Sequence, residues 1–321
     1  PLAVDIGEWV ISSALAQMQA WQDGGLCITV SVNVGARQLQ QQEFVDRLRA
    51  LLAAHPAIAP SRLELEVLET SALEDIAGVS QVIETCAAMG VRFALDDFGT
   101  GYSSLTYLKR LPASLLKIDQ SFVRDMLDDP DDLAILEGVI GLASAFRREV
   151  IAEGVQTIEH GEMLLQLGCN LAQGYGIARP MPAHALPDWV RTWQPEPNWR
   201  DVPLVSRDDL PLLFASVEHR AWVKAMENFL RDEREAPPQL DHEQCHFCSW
   251  MRGQGLGSHG THPSFDTIDS LHRAAHGLAA ELCAQKALHQ DDLALARLGE
   301  LQALGDDLLR RVKELELSRS R

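Results

Sequence analysis

Six short apolar runs, each closing on a polar or acidic group, constrain the fold of this chain more than any other feature. They are CITVSVNVGARQL from Cys27, RLELEVLET from Arg62, RFALDDFGTGYSSL from Arg92, LLKID from Leu115, EVIAEGVQT from Glu149 and AQGYGIARP from Ala172. Amphipathic stretches of helical length separate them, so the pattern reads strand, helix, strand, helix. Such a chain folds as parallel α/β, and parallel strands deliver their C-terminal ends to one face. Those ends carry Asn33, Glu66, Asp96, Asp97, Lys117, Glu153 and Gln173. Oxygen donors gathered there suit a hard cation, because Mg²⁺ and Mn²⁺ prefer oxygen ligands. Any one of these carboxylates, taken alone, reads as the cap of its following helix. The same placement in six consecutive units does not.

The strings also resemble a known family. SVNVGARQL, LELEVLETSAL, FALDDFGTGYSSL, LKIDQSFV, IAEGVQT and QGYGIARPMP are similar, in unbroken order from about Leu2 to about Trp193, to successive motifs of the EAL-domain phosphodiesterases. The resemblance implies a metal-dependent enzyme that linearises the bacterial messenger cyclic di-GMP to pGpG with two Mg²⁺ or Mn²⁺ ions. It matches Asn33, Glu66, Asp96 and Glu153 to metal-site positions and Asp97 to a ligand of the second ion. Lys117 matches the lysine on the catalytic water, so catalysis is expected of Lys117, Glu153 and Asp97. Gln173 matches the glutamine beside the site. Glu69 matches the glutamate that braces the loop Gly99–Ser103, which in the family couples metal binding to dimerisation; a homodimer is therefore expected. Gln156, a further support of the site, stands where the family commonly has Glu, Leu68 where it has Thr, and Asn170 where it has Asp. None of these departures removes a metal ligand.

The chemistry accounts for these residue types. Hydrolysing a phosphodiester requires neutralised non-bridging oxygens, hydroxide near neutral pH and in-line placement, and a pair of cations provides all of them. Adjacent Asp96 and Asp97 suit such a pair only if the strand ends or turns there, since successive strand residues face opposite ways. Lys117 can hold or deprotonate the water if the cations depress its pKa. Its plainer role is an ion pair within the acidic cluster.

Eight strand–helix units close a (β/α)₈ barrel, and six strand signals are visible. The opening segment IGEWVISSALAQMQAW reads as a helix whose partner strand lies upstream, no Glu-Ala-Leu string occurs, and the first residue is Pro1. The expectation is a TIM-like α/β barrel lacking its first strands in this chain, together with the first metal-binding Glu and its neighbouring Arg, and therefore impaired as an isolated enzyme. Residues 1–195 are assigned to the barrel and 196–210 to a Pro-rich linker. Residues 211–316 are assigned to an all-α four-helix bundle. The bundle's helices are LPLLFASVEHRAWVKAMENFLRDE, a short DHEQCHFCSWMR, SFDTIDSLHRAAHGLAAELCAQKAL and one long DDLALARLGELQALGDDLLRRVKELEL, with GQGLGSHGTHP as a Gly-rich loop after the second.

His272 and His276 lie four apart and share one helix face. An isolated HxxxH is ordinarily surface or core, but His219 and Cys245 from other helices complete four donors, the number a tetrahedral zinc takes. His219/Trp222, Cys245/Trp250 and His272/His276 resemble, in order, the motifs of the chemoreceptor zinc-binding (CZB) domain, implying one Zn²⁺ and a zinc-sensing, thiol-oxidisable regulatory module. Cys248 stands where that family has Gly, which opens either an alternative thiolate ligand or a Cys-x-x-Cys disulfide. His242, His246, His259 and His262 read as solvated loop residues. Cys27, Cys86, Cys169 and Cys283 read as core thiols, which fits a reducing, cytoplasmic setting.

With 46 acidic against 28 basic side chains, the formal charge of −18 opposes binding to long nucleic acid. A small dianionic nucleotide remains compatible, because bound cations reverse the local field. No apolar run approaches the ~20 residues of a membrane span. Two other readings compete: an EAL-type receptor that binds cyclic di-GMP without cleaving it, and a metal-dependent lyase. The retained Glu66, Asp96, Asp97, Lys117 and Glu153 argue against the first, and DDFGTG against the second.

Overall fold

The computed structural model describes residues 2–100, 105–241 and 246–318. Among them, six strands form one parallel sheet: β1 (Val30–Asn33), β2 (Leu63–Leu68), β3 (Arg92–Phe98), β4 (Leu115–Ile118), β5 (Glu149–Glu153) and β6 (Leu171–Gln173). Each strand pairs with the next in sequence. Helices such as Phe44–Ala54, Ile76–Ala88, Pro130–Ala145 and Ile158–Gln166 make the crossovers. Adding every strand on the same side is the winding that generates a (β/α) barrel.

Because helices cover one side of the strands and the barrel interior lies on the other, the central strands are buried on both faces and read as apolar runs. Leu63, Leu65, Val67, Leu115, Leu116 and Ile118 are at most 1% exposed. The polar exceptions form two layers. At the strand starts Arg92 pairs with Glu64 and Glu149, and Ser31 donates to Glu64 at 2.8 Å. At the strand ends Lys117 gathers Glu66, Asp96 and Glu153. Along β3, Arg92, Ala94 and Asp96 share a face, so Ala94 separates the layers.

Contacts divide the chain into two compact units, residues 1–124 with 134–202, and residues 125–133 with 203–321. In the first, Trp199 donates its indole N–H to the Ile158 carbonyl at 2.9 Å and lies over Gly161. The second is helical, with Leu210–Leu230, His246–Trp250, Pro263–Ala287 and Leu298–Ser318 around two apolar clusters. No helix among the described residues is long and apolar enough to cross a membrane.

Several sequence expectations change here. Cys27 is exposed, since it precedes β1 rather than belonging to it, whereas Cys86 and Cys169 are buried and burial pushes their thiols up to about 11. The Gly-rich segment is partly helical: after a kink at Gly253 (φ −103°, ψ −105°) a turn leads into Leu256–His259. The C-terminal amphipathic stretch is split at Arg297 into Asp291–Ala296 and Leu298–Ser318. His259 is 4% exposed and pairs with Asp209 at 2.9 Å, and His262 caps the helix Pro263–Ala287 by accepting from Ser264 N. Both histidines serve the fold rather than the solvent; the side chains of His242 and His246 lie outside the described residues. Truncating a fully buried barrel residue should be costly: Leu65→Ala is expected to lower stability by about 2–5 kcal/mol, read from the urea midpoint.

Candidate active site and a buried histidine cluster

Asp96 and Asp97 end β3, and the backbone resolves the problem of pointing both the same way. Asp97 has φ 54°, a left-handed conformation that Asp tolerates better than most residues. The β3–β4 register shifts between Leu95 and Phe98. Asp96, Asp97 and Glu153 thereby bring carboxylate oxygens within 4.8 Å of one another, the one such donor group among the described residues. Gly99 follows with φ 103° and the Phe122 ring 3.0 Å from where a Cβ would sit. Its N–H donates to Glu69 Oε2 at 3.0 Å, so Glu69, 3% exposed, does brace the start of the loop. The rest of that loop, 101–104, lies outside the described residues.

Lys117 rises from β4 into the cluster. Its Nζ lies 2.8 Å from Glu66, 2.8 Å from Asp96 and 2.5 Å from Glu153, and the side chain is 5% exposed. Burial alone would push this amine down, but hydrogen bonds to Asp96, Glu153 and Glu66 outweigh it and hold the group above the usual lysine range. Lys117 is thus an ammonium here, acting as the internal counter-ion of three carboxylates. Burial pushes Glu153 up, with Asp96 and Glu66 adding repulsion against the pull of Lys117. Asp97 is raised by burial and by the charges of Asp96 and Asp119. Burial would likewise raise Asp119, but it ends below the ordinary value because Ser121 donates to it from both hydroxyl and backbone.

Gln173 ends β6 in register with Glu153 and donates to its Oε1 at 2.6 Å. Asn33 ends β1 in register with Glu66 and is exposed. Gln156 lines a cleft of about 610 Å³ that opens beside Glu153 and is also walled by Gln120, Gln173, Tyr175 and Arg179. The Arg179 guanidinium lies 5.0 Å over the Tyr175 ring. Tyr175 and Arg179 were not singled out from the sequence, although both stand in AQGYGIARP, four apart.

In the helical unit His219, His272 and His276 are 6%, 2% and 6% exposed. The His272 ring lies 4.6 Å from that of His276 and 5.8 Å from that of His219, centre to centre. Trp222 packs against His219 and His276. His276 Nδ1 donates to the Leu240 carbonyl at 2.9 Å. His219 Nε2 is buried without a hydrogen-bond partner among the described residues, and burial, then the neighbouring His272 and His276, drive that imidazole down to about 3, leaving it neutral. Three of the four expected zinc ligands therefore pack as neighbours, although their donor atoms do not all lie within 4.8 Å of one another; Cys245 lies outside the described residues.

Family comparison bears on both regions. The EAL domain family model matches residues 2–180. The chain belongs to the EAL-domain family. A second model, the chemoreceptor zinc-binding domain, matches residues 219–283. Over 186 residues the chain is 46% identical to the bifunctional diguanylate cyclase/cyclic di-GMP phosphodiesterase MucR of Pseudomonas aeruginosa, covering 58% of this chain and 27% of that protein. It is 37% identical over 186 residues to the cyclic di-GMP phosphodiesterase PA2567 of the same species, covering 58% and 32%. The chain thus spans about a third or less of the length of these curated relatives. Among solved structures, the PaMucR phosphodiesterase in its c-di-GMP complex aligns with a TM-score of 0.55 at 46% identity, covering 58% of this chain and 75% of that one.

The Lys117 arrangement predicts a pH-dependent defect. Lys117→Met strands buried carboxylates and should cost about 3–5 kcal/mol. The wild-type lysine contribution is complete below the unfolded value of about 10.4 and is lost only as pH climbs through the raised folded value. Glu153 runs the other way: its raised folded value makes the ionised form costly at neutral pH, and that cost is relieved as pH falls. The mutant deficit should therefore be largest near pH 7 and shrink towards pH 5, in urea midpoints measured with chelator at both values.

Proposed function

We propose that the EAL region hydrolyses cyclic di-GMP to linear pGpG, with Asn33, Glu66, Asp96, Asp97 and Glu153 holding two Mg²⁺ or Mn²⁺ ions. The observation that carries this reading is the convergence of Asp96, Asp97 and Glu153 beside a cleft of ligand size. The donor set fits hard divalent cations, because it is all oxygen and carries more negative charge than one ammonium offsets. The chemistry those ions supply when bound is neutralisation of the phosphodiester oxygens and acidification of water. The names of the relatives, cyclic di-GMP phosphodiesterases among them, support the same substrate.

The chain's own groups have separable roles. Lys117 keeps its proton at Nζ, so it positions the carboxylates and donates towards the attacking water. Gln173 holds Glu153 in orientation through its 2.6 Å hydrogen bond. Glu69 fixes Gly99 and with it the path of the loop that follows Asp97. In the cleft, Tyr175 offers a ring face to a purine and Arg179 a cation to phosphate.

In the helical unit, His219, His272 and His276 with Cys245 hold one Zn²⁺. Three imidazoles and a thiolate suit that ion better than they suit magnesium. Among the described residues nothing hydrogen-bonds the buried, uncharged His219 Nε2, which supports this, since a buried nitrogen without a partner is costly and a metal supplies one. The zinc module regulates the phosphodiesterase, the assembly is a homodimer, and the setting is the reducing cytoplasm.

Two measurements test the proposal. In the full-length protein Asp96→Asn should reduce pGpG formation at least a hundredfold, a barrier increase of about 2.7 kcal/mol; turnover within tenfold of wild type would exclude the two-metal assignment, and tight binding without turnover in the unmutated protein would favour the receptor reading. Zinc content should fall from one equivalent in His276→Ala and in Cys245→Ser; a full equivalent in both variants would exclude this ligand set.

A further inference from the structure

The cleft beside Glu153 is walled by neutral amides rather than by acids. Of its lining side chains only Glu153 and Arg179 are charged, and Glu153 is already engaged by Lys117 and Gln173. Gln156 stands where the family commonly has Glu. The Gln173 amide donates to Glu153, whereas Gln156 is exposed in the cleft and makes no side-chain hydrogen bond among the described residues.

The backbone sets Gln156 next to an aromatic ring. Val155 N donates to Gln173 O at 3.0 Å, and Gly176 N donates to Val155 O at 2.8 Å. The segments 153–156 and 173–176 therefore run on together past the ends of β5 and β6. This approach requires both glycines: a Cβ at Gly174 would lie 2.2 Å from Val155 O, and one at Gly176 2.9 Å from the Gln156 carbonyl carbon. Tyr175 stands between them. Arg179 lies over one face of its ring at 5.0 Å, and the residue is 63% exposed. A ring face and an amide on adjoining backbone meet the two needs of a planar base, one to stack on and one to face its edge.

We propose that Gln156 reads the edge of a purine stacked on Tyr175, and that its amide admits adenine as well as guanine, so that the site linearises mixed guanine–adenine cyclic dinucleotides alongside cyclic di-GMP. The inference deepens the cyclic di-GMP reading above and rests on it. An amide carries a donor and an acceptor, and a half-turn exchanges their places. Towards guanine it accepts from N1–H and donates to O6; towards adenine it accepts from N6–H and donates to N1. A carboxylate only accepts. It suits the N1–H and N2–H of guanine but sets its charge against the N1 lone pair of adenine, and a site whose polar group faces the wrong partner rejects that substrate. The bond changes are the same for either base. The water oxygen bonds to phosphorus, the P–O3′ bond breaks, one water proton goes to O3′ and the other to solvent, and a linear dinucleotide with a 5′-phosphate leaves.

The mixed substrate can seat in two ways, which yield different linear products, pGpA and pApG. Adenine on Gln156 gives one of them. In the full-length protein, kcat/KM for cyclic GMP–AMP should lie within tenfold of that for cyclic di-GMP. In Gln156→Glu, one isomer formed by the wild type should fall at least tenfold relative to cyclic di-GMP hydrolysis, as read by chromatography of the two products. A wild-type preference for cyclic di-GMP beyond tenfold would overturn the inference and leave the hydrolase reading in place. So would a variant that keeps both isomers at their wild-type ratio to pGpG. Should Gln156→Glu fail to fold, the wild-type comparison decides alone. Cleavage of neither nucleotide by the wild type would overturn the hydrolase reading itself, and this inference with it.

Discussion

One buried ammonium organises the upper end of the barrel sheet. Lys117 on β4 reaches carboxylates from β2, β3 and β5, so four strands of the sheet are tied at one atom. Without it, Glu66, Asp96 and Glu153 would be acids of like charge in a setting where burial already disfavours ionisation. With it, the three are held at hydrogen-bond distance from one ammonium. Asp97, outside this arrangement and on a left-handed backbone, retains a raised carboxyl. Glu153 inside the frame and Asp97 at its edge both keep raised carboxyls, so burial and mutual repulsion are only partly offset by one ammonium.

The strand–helix alternation made this fold legible, because parallel strands covered on both faces leave apolar runs whose ends are easily found. The acids at those ends were legible for the same reason. What the motifs did not reveal is the state of Lys117. Local spacing cannot say that three carboxylates from distant segments surround one amine and, with no cation beside them, hold it above the usual lysine range. Nor could spacing show how Asp96 and Asp97 face one site, since that depends on a register shift and a positive φ rather than on residue type.

In the helical unit the errors share a cause. GQGLGSHGTHP reads as loop because glycine weakens helices, yet tertiary packing carries helical turns into part of it, and His259 is buried against Asp209. Cys27 went the other way: its apolar neighbours suggested a core position, but the strand begins only at Val30. The heptad-like C-terminal segment concealed the break at Arg297, whose side chain is occupied by Glu281 and Glu300. Periodicity describes faces well and interruptions poorly. The histidine cluster was readable because its members are rare residue types at helical spacing, whereas the proximity of Cys248 to His272 is a matter of how two helices meet.

The two charged layers are four residues apart along β3, about 13 Å of extended chain, but on β2 their members Glu64 and Glu66 are only two residues apart, about 7 Å. That is within the physiological screening length of about 8 Å, and both carboxylates are buried, where salt screens least. The layers are therefore coupled through β2. Arg92 offsets the charge of Glu64 directly below the acids that Lys117 gathers. Exchanging Arg92 for an apolar residue would leave an uncompensated carboxylate beneath Glu66, and the cost would be felt at the upper end of the sheet.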